Sequence, residues 1–125
     1  MSVSIKEVMI KDIVSLPLNK TLLDAANEMN THSIGSIVIL DTFSKPIGLI
    51  TPFDVIEHML NKRDINEILL KSFEKPLIVV NENDKVTAAA IKFLKYNIHH
   101  LAVTNNNGDL VGVISTYDLA KVIVN

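Results

Sequence analysis

Gly112-Val113-Ile114-Ser115-Thr116-Tyr117-Asp118 is the stretch that decides the fold of this 125-residue chain. The residues that lead into it, Leu110–Ile114, are apolar and largely β-branched, which predicts a short buried strand. Ser115 is a preferred helix N-cap, and Asp118 stands three residues later, where its carboxylate can reach back to free backbone N–H groups. The stretch therefore predicts a strand that turns sharply into a helix over Thr116–Val124.

The same pattern occurs 64 residues earlier as Gly48-Leu49-Ile50-Thr51-Pro52-Phe53-Asp54. Pro52 falls at the first helical position, where a missing N–H is tolerated. Laying residues 11–61 over 75–125 gives nine identical pairs, where average composition would give roughly three by chance. The chain is therefore predicted to contain two copies of one unit.

Hydrophobic periodicity predicts the order β-α-β-β-α in each copy, and hence a mixed α/β (α+β) fold. The strands predicted in the first copy are 13–16, 37–40 and 46–50, with helices beginning at Leu22 and Pro52. Those predicted in the second copy are 76–80, 101–103 and 110–114, with helices over 86–96 and 116–124. The helix over 86–96 is expected to bury Val86, Ala89, Ala90, Phe93 and Leu94.

The repeat divides the chain into residues 1–62, a connector over 63–72, and residues 73–125. Asp64 is placed to cap a short connector helix that carries Ile65, Ile68 and Leu69. A unit of about fifty residues buries little core alone, so we expect the two copies to pack face to face with pseudo-two-fold symmetry.

A corner between a strand and a helix can bind an anion, because it presents unpaired N–H groups and the positive end of the helix dipole. The alternative is that Thr/Ser-x-x-Asp is only an ordinary capping box. Two copies of the pattern at one spacing favour a ligand site over a cap alone.

Composition excludes several classes of function. The net charge is −2, which gives no support to nucleic-acid binding, and there is no cysteine for disulfides or thiolate chemistry. The first residues lack the apolar core of a leader peptide, and no apolar run approaches a membrane span, so a cytoplasmic protein is expected. No Gly-x-Ser-x-Gly elbow, phosphate-binding P-loop or metal-ligand cluster is visible, so we expect no enzyme activity and no metal.

With these motifs, the chain resembles a tandem pair of cystathionine-β-synthase (CBS) domains, the arrangement called a Bateman module. The resemblance rests on the two Gly-aliphatic-aliphatic-hydroxyl-x-x-Asp stretches and on the strands that precede them, 34–39 and 98–103. It covers nearly the whole chain. It implies a non-catalytic regulatory module that binds AMP, ADP, ATP or S-adenosylmethionine between its halves and signals to a partner protein.

The resemblance also implies roles for individual residues. Asp54 and Asp118 would bind the ribose hydroxyls, and Thr51 and Ser115 the phosphate, with Thr116 as a helper. The candidates for the walls of the adenine pocket are Ile34, Ile50, Ile98 and Ile114.

His99 and His100 occupy positions where the family often carries a cationic residue that contacts phosphate. Covering a strand end is the alternative role for one of them. They are poor metal ligands as a pair, because adjacent strand residues point to opposite faces. The first copy has Gly35-Ser36 at the equivalent positions. We therefore expect the better site around Ser115 and Asp118, and leave open which site the histidines serve.

Two alternatives concern the whole molecule. The family commonly forms homodimers through its helices, and the apolar helix ends at Ile56, Met59 and Leu60, and at 122–124, are candidate interfaces or core. The competing function is a structural dimerisation module with degenerate, empty ligand clefts.

Overall fold

The computed structural model describes residues 2–61, 64–67, 69 and 77–124. In chain order its regular elements are a 3-10 turn Ile5–Glu7, β1 Ser15–Pro17, α1 Leu22–His32, β2 Ile37–Leu40, β3 Pro46–Ile50, α2 Pro52–Leu60, β4 Val79–Asn81, α3 Val86–Tyr96, β5 His100–Thr104, β6 Leu110–Ser115 and α4 Thr116–Val124. The predicted β-α-β-β-α order and the mixed α+β class are confirmed in both copies.

Each copy contributes one three-stranded sheet, in the order β1-β2-β3 or β4-β5-β6. The first pair of strands in each sheet is parallel and the second pair is antiparallel. Both antiparallel pairs contain an irregularity at equivalent places, between Ile39 and Leu40 and between Val103 and Thr104. The repeat therefore extends to local departures from regular strand pairing.

Backbone conformation repeats in the same way at positions that require positive φ. Ser33 and Asn97 end α1 and α3 with φ of 52° and 51°, and Ser44 and Gly108 turn the two hairpins with φ of 61° and 79°. The second hairpin is the predicted Asn-Gly turn, in which Gly108 N–H donates to the Asn105 carbonyl at 3.0 Å.

The described contacts group the chain into two compact units that differ from the sequence repeats. One unit is Val14–Leu77, called here the Asp54 unit, and the other joins Met1–Ile13 to Ile78–Asn125 and is called the Asp118 unit. Residues 1–13, which the sequence counts with the first copy, therefore lie with the second sheet, because their hydrogen bonds and buried side chains are there.

An N-terminal strap, residues 3–10, makes these contacts. Ile5 N–H donates to the Asp84 carbonyl at 2.8 Å, and Val3 offers its carbonyl to the first N–H of α3 at 3.0 Å. That carbonyl is needed because Lys85, the N-cap of α3, makes no capping hydrogen bond with its side chain. Within the strap, the backbone N–H and hydroxyl of Ser4 lower the pKa of Glu7 below its ordinary value.

The Asp54 unit uses the segment ahead of β4 in an equivalent way. Leu69 N–H donates to the Lys20 carbonyl at 2.7 Å, and Leu22 N–H donates to the Glu67 carbonyl at 3.2 Å. Both bonds lie 64 residues from their counterparts in the strap. Each unit is therefore completed by a segment that precedes the first strand of the other unit. The strap precedes β1 and completes the Asp118 unit, whereas Glu67 and Leu69 precede β4 and complete the Asp54 unit, where Leu69 takes the place of Ile5.

Each unit has its own apolar core between sheet and helices. The core of the Asp54 unit contains Leu22, Ala25, Met29, Ile37, Ile39, Ile50 and Leu69. The core of the Asp118 unit contains Ile5, Val80, Val86, Ala89, Phe93, Leu101, Val103 and Ile114. Among the described helices, none combines the length and the apolar character that crossing a bilayer requires.

Three local predictions need correction or fall outside the described residues. β1 is Ser15–Pro17 instead of 13–16, and it admits Pro17 because it is an edge strand. Leu94 was expected in the core but is 86% exposed. β4 begins at Val79, and residues 62, 63, 68 and 70–76, which include Pro76 and most of the proposed connector helix, lie outside the described residues.

Replacing Ile5 by alanine should destabilise the protein by about 2–5 kcal/mol, the usual cost of truncating a fully buried aliphatic side chain. Ile5 is 0% exposed within the core of the Asp118 unit. The free energy of unfolding in urea measures the change. Lys6→Ala, at the exposed neighbouring position, is the control and should change stability by less than about 0.5 kcal/mol. Equal effects of the two variants would show that the strap is not anchored in the core.

Candidate functional site

The second corner, at the junction of β6 and α4, is closed by a hydroxyl and a carboxylate in contact. Asp118 Oδ2 accepts hydrogen bonds from Ser115 N–H at 2.8 Å and from Ser115 Oγ at 2.9 Å. Asp118 N–H donates in return to Ser115 Oγ at 3.2 Å. The carboxylate is 7% exposed, and Oδ1 accepts no hydrogen bond within the described part of the chain, so it remains able to bind a hydroxyl donor.

The first corner, at the junction of β3 and α2, has the same two groups in a looser arrangement. Asp54 Oδ2 accepts from Thr51 N–H at 2.7 Å and from Thr51 Oγ1 at 3.1 Å. Asp54 N–H donates to the Thr51 carbonyl at 3.0 Å and also faces the Thr51 side chain in a capping box. Asp54 is half-buried, whereas Asp118 is buried. The capping-box interpretation therefore holds for both corners, and each aspartate still has a second carboxylate oxygen.

Fewer backbone N–H groups are available at the corners than the sequence indicates. In the second corner, Thr116 N–H donates to the His99 carbonyl at 3.0 Å, and Asp118 N–H is used by Ser115. In the described structure this leaves Tyr117 N–H as the unpaired donor of the first turn. Phe53 N–H is its counterpart, since Pro52 has no N–H. Because the hydroxyl hydrogens of Ser115 and Thr51 are donated to Asp118 and Asp54, an anion at the second corner would depend on Tyr117 N–H and the Thr116 hydroxyl, and an anion at the first corner on Phe53 N–H.

The two histidines lie beside the second corner, in its own unit. His100 begins β5 and is the antiparallel register partner of Ser115. His99 precedes it and is joined to the first turn of α4 through the bond between its carbonyl and Thr116 N–H. The first sheet has no such pair, because its antiparallel ladder begins at Ile37 and Ile50. Backbone pairing therefore brings the main chain of His99 and His100 next to Ser115 and Thr116.

Charge distinguishes the two corners further along their helices. Lys121 lies one turn into α4, with its ammonium 4.6 Å from the centre of the Tyr117 ring. The equivalent position in α2 is Glu57. The second copy thus carries Lys121, His99 and His100 where the first copy carries Glu57, Gly35 and Ser36.

The four isoleucines proposed as walls of an adenine pocket divide into two pairs. Ile50 and Ile114 are 2% and 0% exposed and belong to the two cores. Their side chains therefore hold the sheets to the helices and offer almost no surface to a ligand. Ile34 and Ile98 are half-buried at the edges of those cores, so they retain apolar surface that a base can contact.

His58, in α2, is a buried polar residue that sequence analysis missed. Its Nδ1 lies 2.7 Å from the Asp54 carbonyl oxygen, and because a carbonyl only accepts, Nδ1 carries the proton. Its Nε2 is buried and has no hydrogen-bond partner among the described residues. The repeat contained the clue, because the equivalent position in the second copy is the apolar Val122. No group of three metal-ligating side chains occurs within the described residues.

Comparison with known proteins identifies the same repeat. The family model of the CBS domain matches residues 5–61 and 65–125. An uncharacterised 17.7 kDa protein of Acidianus ambivalens is 31% identical over 99% of this chain and 75% of its own length. Further curated relatives are longer, some of them with enzyme names, and the chain spans between 22% and 63% of their length.

Solved structures agree with the fold. A CBS domain protein of Pyrobaculum aerophilum, complexed with AMP, superposes with a TM-score of 0.87 at 26% identity, over 98% of this chain and 100% of that one. A CBS domain pair in complex with 5′-methylthioadenosine and S-adenosyl-L-methionine has a TM-score of 0.89 at 22% identity, over 99% and 98% of the two chains. The recognition of a tandem CBS arrangement from the repeated corners is confirmed.

Substituting His58 by leucine should leave stability unchanged or raise it by up to about 1 kcal/mol, because an apolar side chain of similar volume removes a buried, unpaired nitrogen. Urea unfolding of the variant and the parent measures the difference. Val80→Ala, a truncation at a buried apolar position, is the control and should be destabilising. A loss of more than about 2 kcal/mol in His58→Leu would contradict the absence of a partner for Nε2.

Proposed function

The chain belongs to the CBS domain family as a tandem pair of such domains, and on this premise we propose that it is a non-catalytic regulatory module that binds adenosine-containing ligands. The candidate ligands are AMP, ADP, ATP and S-adenosylmethionine. The observation that carries the proposal is the repeated corner, in which a hydroxyl and a carboxylate are held together in front of a helix N-terminus. The AMP complex of the P. aerophilum relative supports the choice of ligand class.

The chemistry of the second corner matches the parts of a nucleoside phosphate. The free carboxylate oxygen of Asp118 can accept the two vicinal ribose hydroxyls. The Thr116 hydroxyl and the N–H of Tyr117 offer donors to a phosphate, Ser115 can donate its hydroxyl hydrogen if it releases Asp118 Oδ2, and His99 and His100 would add donors that become cationic when protonated. The half-buried Ile98 provides apolar surface for the base.

We expect the first corner to bind more weakly. Thr51 and Asp54 supply the hydroxyl and carboxylate, and Ile34 supplies the apolar surface, but Gly35 and Ser36 stand where the second copy has histidines. Glu57 also repels a phosphate. The alternative function, a structural dimerisation module with empty sites, predicts that neither corner binds a nucleotide.

A regulatory module must pass its signal to another protein or domain, and differential affinity of the ligand for two conformations would supply the coupling. This chain spans only part of the length of some relatives. The additional segments of those longer relatives support the proposal that the module regulates another domain or protein. We also propose a cytoplasmic location, since the candidate ligands are cytoplasmic metabolites.

A second copy of this chain is the partner proposed for the exposed helix faces. Phe53, Ile56 and Leu60 form a stripe along α2 at helical spacing, and all three side chains are mostly exposed. The helices of the other unit carry similarly exposed apolar residues, namely Ile91, Leu94, Tyr117 and Ile123. A continuous apolar helix face on a small domain indicates an interaction surface.

Thermal unfolding with AMP, ADP, ATP or S-adenosylmethionine tests the ligand proposal. A ligand at one hundred times its Kd adds about 2.7 kcal/mol, which raises Tm by on the order of 10 °C for a domain of this size. Asp118→Ala should abolish most of this rise, and Asp54→Ala should reduce it less. Each variant is compared with its own ligand-free Tm, because loss of a cap costs about 1 kcal/mol by itself.

Asp24→Ala is the matched control for these variants. Asp24 forms the same capping box with Thr21 at the start of α1, at 2.9 and 3.1 Å, and the hydrogen bonds that its carboxylate accepts from the backbone and side chain of Thr21 lower its pKa. It belongs to neither corner, so its loss should leave the ligand-induced rise intact. A full rise in Asp118→Ala would reduce Asp118 to a cap, and no rise in the unmodified chain with any of the ligands would favour the structural module.

Replacing Ile56 by glutamate should weaken self-association at least about tenfold, since a charge is placed within a desolvated apolar contact. Sedimentation velocity over a range of protein concentrations measures the dimer Kd. Asn27→Glu, which adds the same charge at an exposed position of α1, should have no effect. A parent chain that remains monomeric at every concentration would overturn the homodimer proposal.

A further inference from the structure

The strap crosses the outer edge of β6, the strand that leads into the second corner. Ile10 N–H donates to the Val113 carbonyl at 2.8 Å, and Val113 N–H donates to the Ile10 carbonyl at 3.0 Å. β6 is the last strand of its sheet, so among the described residues no other strand pairs with the backbone groups of Val113 on that side. The strap therefore holds β6 two residues before Ser115.

Close approach of the strap explains why residue 112 is a glycine. A Cβ added there would lie 2.6 Å from Met9 Sδ and 2.9 Å from the Ile10 carbonyl oxygen. Real side chains do not tolerate such distances, and part of the obstacle is backbone. The glycine at the start of the corner motif is thus required by contact with the strap, whereas the ligand groups of the corner begin at Ser115.

The strap is held firmly at one end and lightly at the other. Ile5 is fully buried, whereas Ile10 is 47% exposed and meets β6 through one isolated bridge. Beyond this bridge the chain enters the Asp54 unit at Val14, whose carbonyl accepts the N–H of Val38 at 3.1 Å. The weakly bonded end of the strap, at Ile10, is therefore also the end at which the chain continues into the Asp54 unit.

We propose that the strap is a positioning element for the second corner, and that strap docking and ligand binding at Ser115 and Asp118 stabilise each other. This inference rests on the proposed function, because the ligand is the adenosine compound described there. Displacing the strap frees the edge of β6, and a shift of β6 moves the Ser115 N–H and hydroxyl away from Asp118 Oδ2. Thermodynamic linkage requires that a ligand which needs this geometry also tightens the strap.

Hydrogen exchange on the unmodified chain tests the linkage directly, with saturating AMP and with saturating S-adenosylmethionine as probes. The amides of Ile10 and Val113 should exchange at least about fivefold more slowly with the bound probe, the lower range of measured couplings between sites. The amide of Asp41, in the hairpin turn of the Asp54 unit, is the internal control. Unchanged exchange at Ile10 and Val113 while a probe binds would overturn the inference.

Substitutions at the contact between the strap and β6 test the same linkage. They are made in an Asp54→Ala background, so that only the second corner is left to bind AMP. Gly112→Ala should weaken AMP binding about tenfold or more by isothermal titration. Adding Met9→Ala should recover part of the affinity, because it removes the nearest side-chain obstacle. Because relief of the Met9 contact would also restore a sheet that Gly112→Ala had unfolded, far-UV circular dichroism of Gly112→Ala must show a folded chain for the loss of affinity to support the strap.

Gly48→Ala is the matched control, since it makes the same substitution in the equivalent strand of the other unit and should leave AMP affinity unchanged. Equal AMP affinity in Gly112→Ala and its parent would overturn the role of the strap while leaving the proposed function in place. Absence of AMP and S-adenosylmethionine binding in the unmodified chain would overturn the proposed function, and this inference with it.

Discussion

Each unit depends on one aliphatic side chain supplied from outside its own sheet and helices. Ile5 closes one core and Leu69 closes the other, and both are fully buried. In each case the backbone N–H of that residue is bonded to the turn before a helix, and a neighbouring carbonyl caps the helix. The burial of one apolar side chain thus fixes the start of the helix that faces the sheet.

The geometry of the two corners depends on the packing of the two cores. Ile50 and Ile114 precede the two hydroxyl residues and lie within the cores. Their burial sets the direction in which β3 and β6 leave the sheet, and the helices then begin at once. The carboxylates of Asp54 and Asp118 can reach the backbone N–H and hydroxyl of Thr51 and Ser115 only because of that direction. Local capping and tertiary packing therefore support the same geometry.

The two corners share a backbone but differ in chemistry. The hydroxyl and carboxylate are kept in both, and the differences are confined to the groups around them. The second copy has His99, His100 and Lys121 where the first has Gly35, Ser36 and Glu57. We therefore expect the two corners, which share one backbone geometry, to differ in their affinity for anions.

Much of this structure is determined by the sequence alone, because it depends on interactions between near neighbours. The spacing of apolar residues, the Asn-Gly turn and the Ser-x-x-Asp boxes act over a few residues, and they predicted the repeat, the element order and several helix and strand ends. The roles of Gly112, Ile5, His58, Ile50 and Ile114 were decided only by tertiary structure. The strap lies against Gly112, several apolar side chains are buried in a core, and Thr116 N–H is bonded to the His99 carbonyl. These contacts join residues that are far apart in the chain, so no local sequence pattern predicts them.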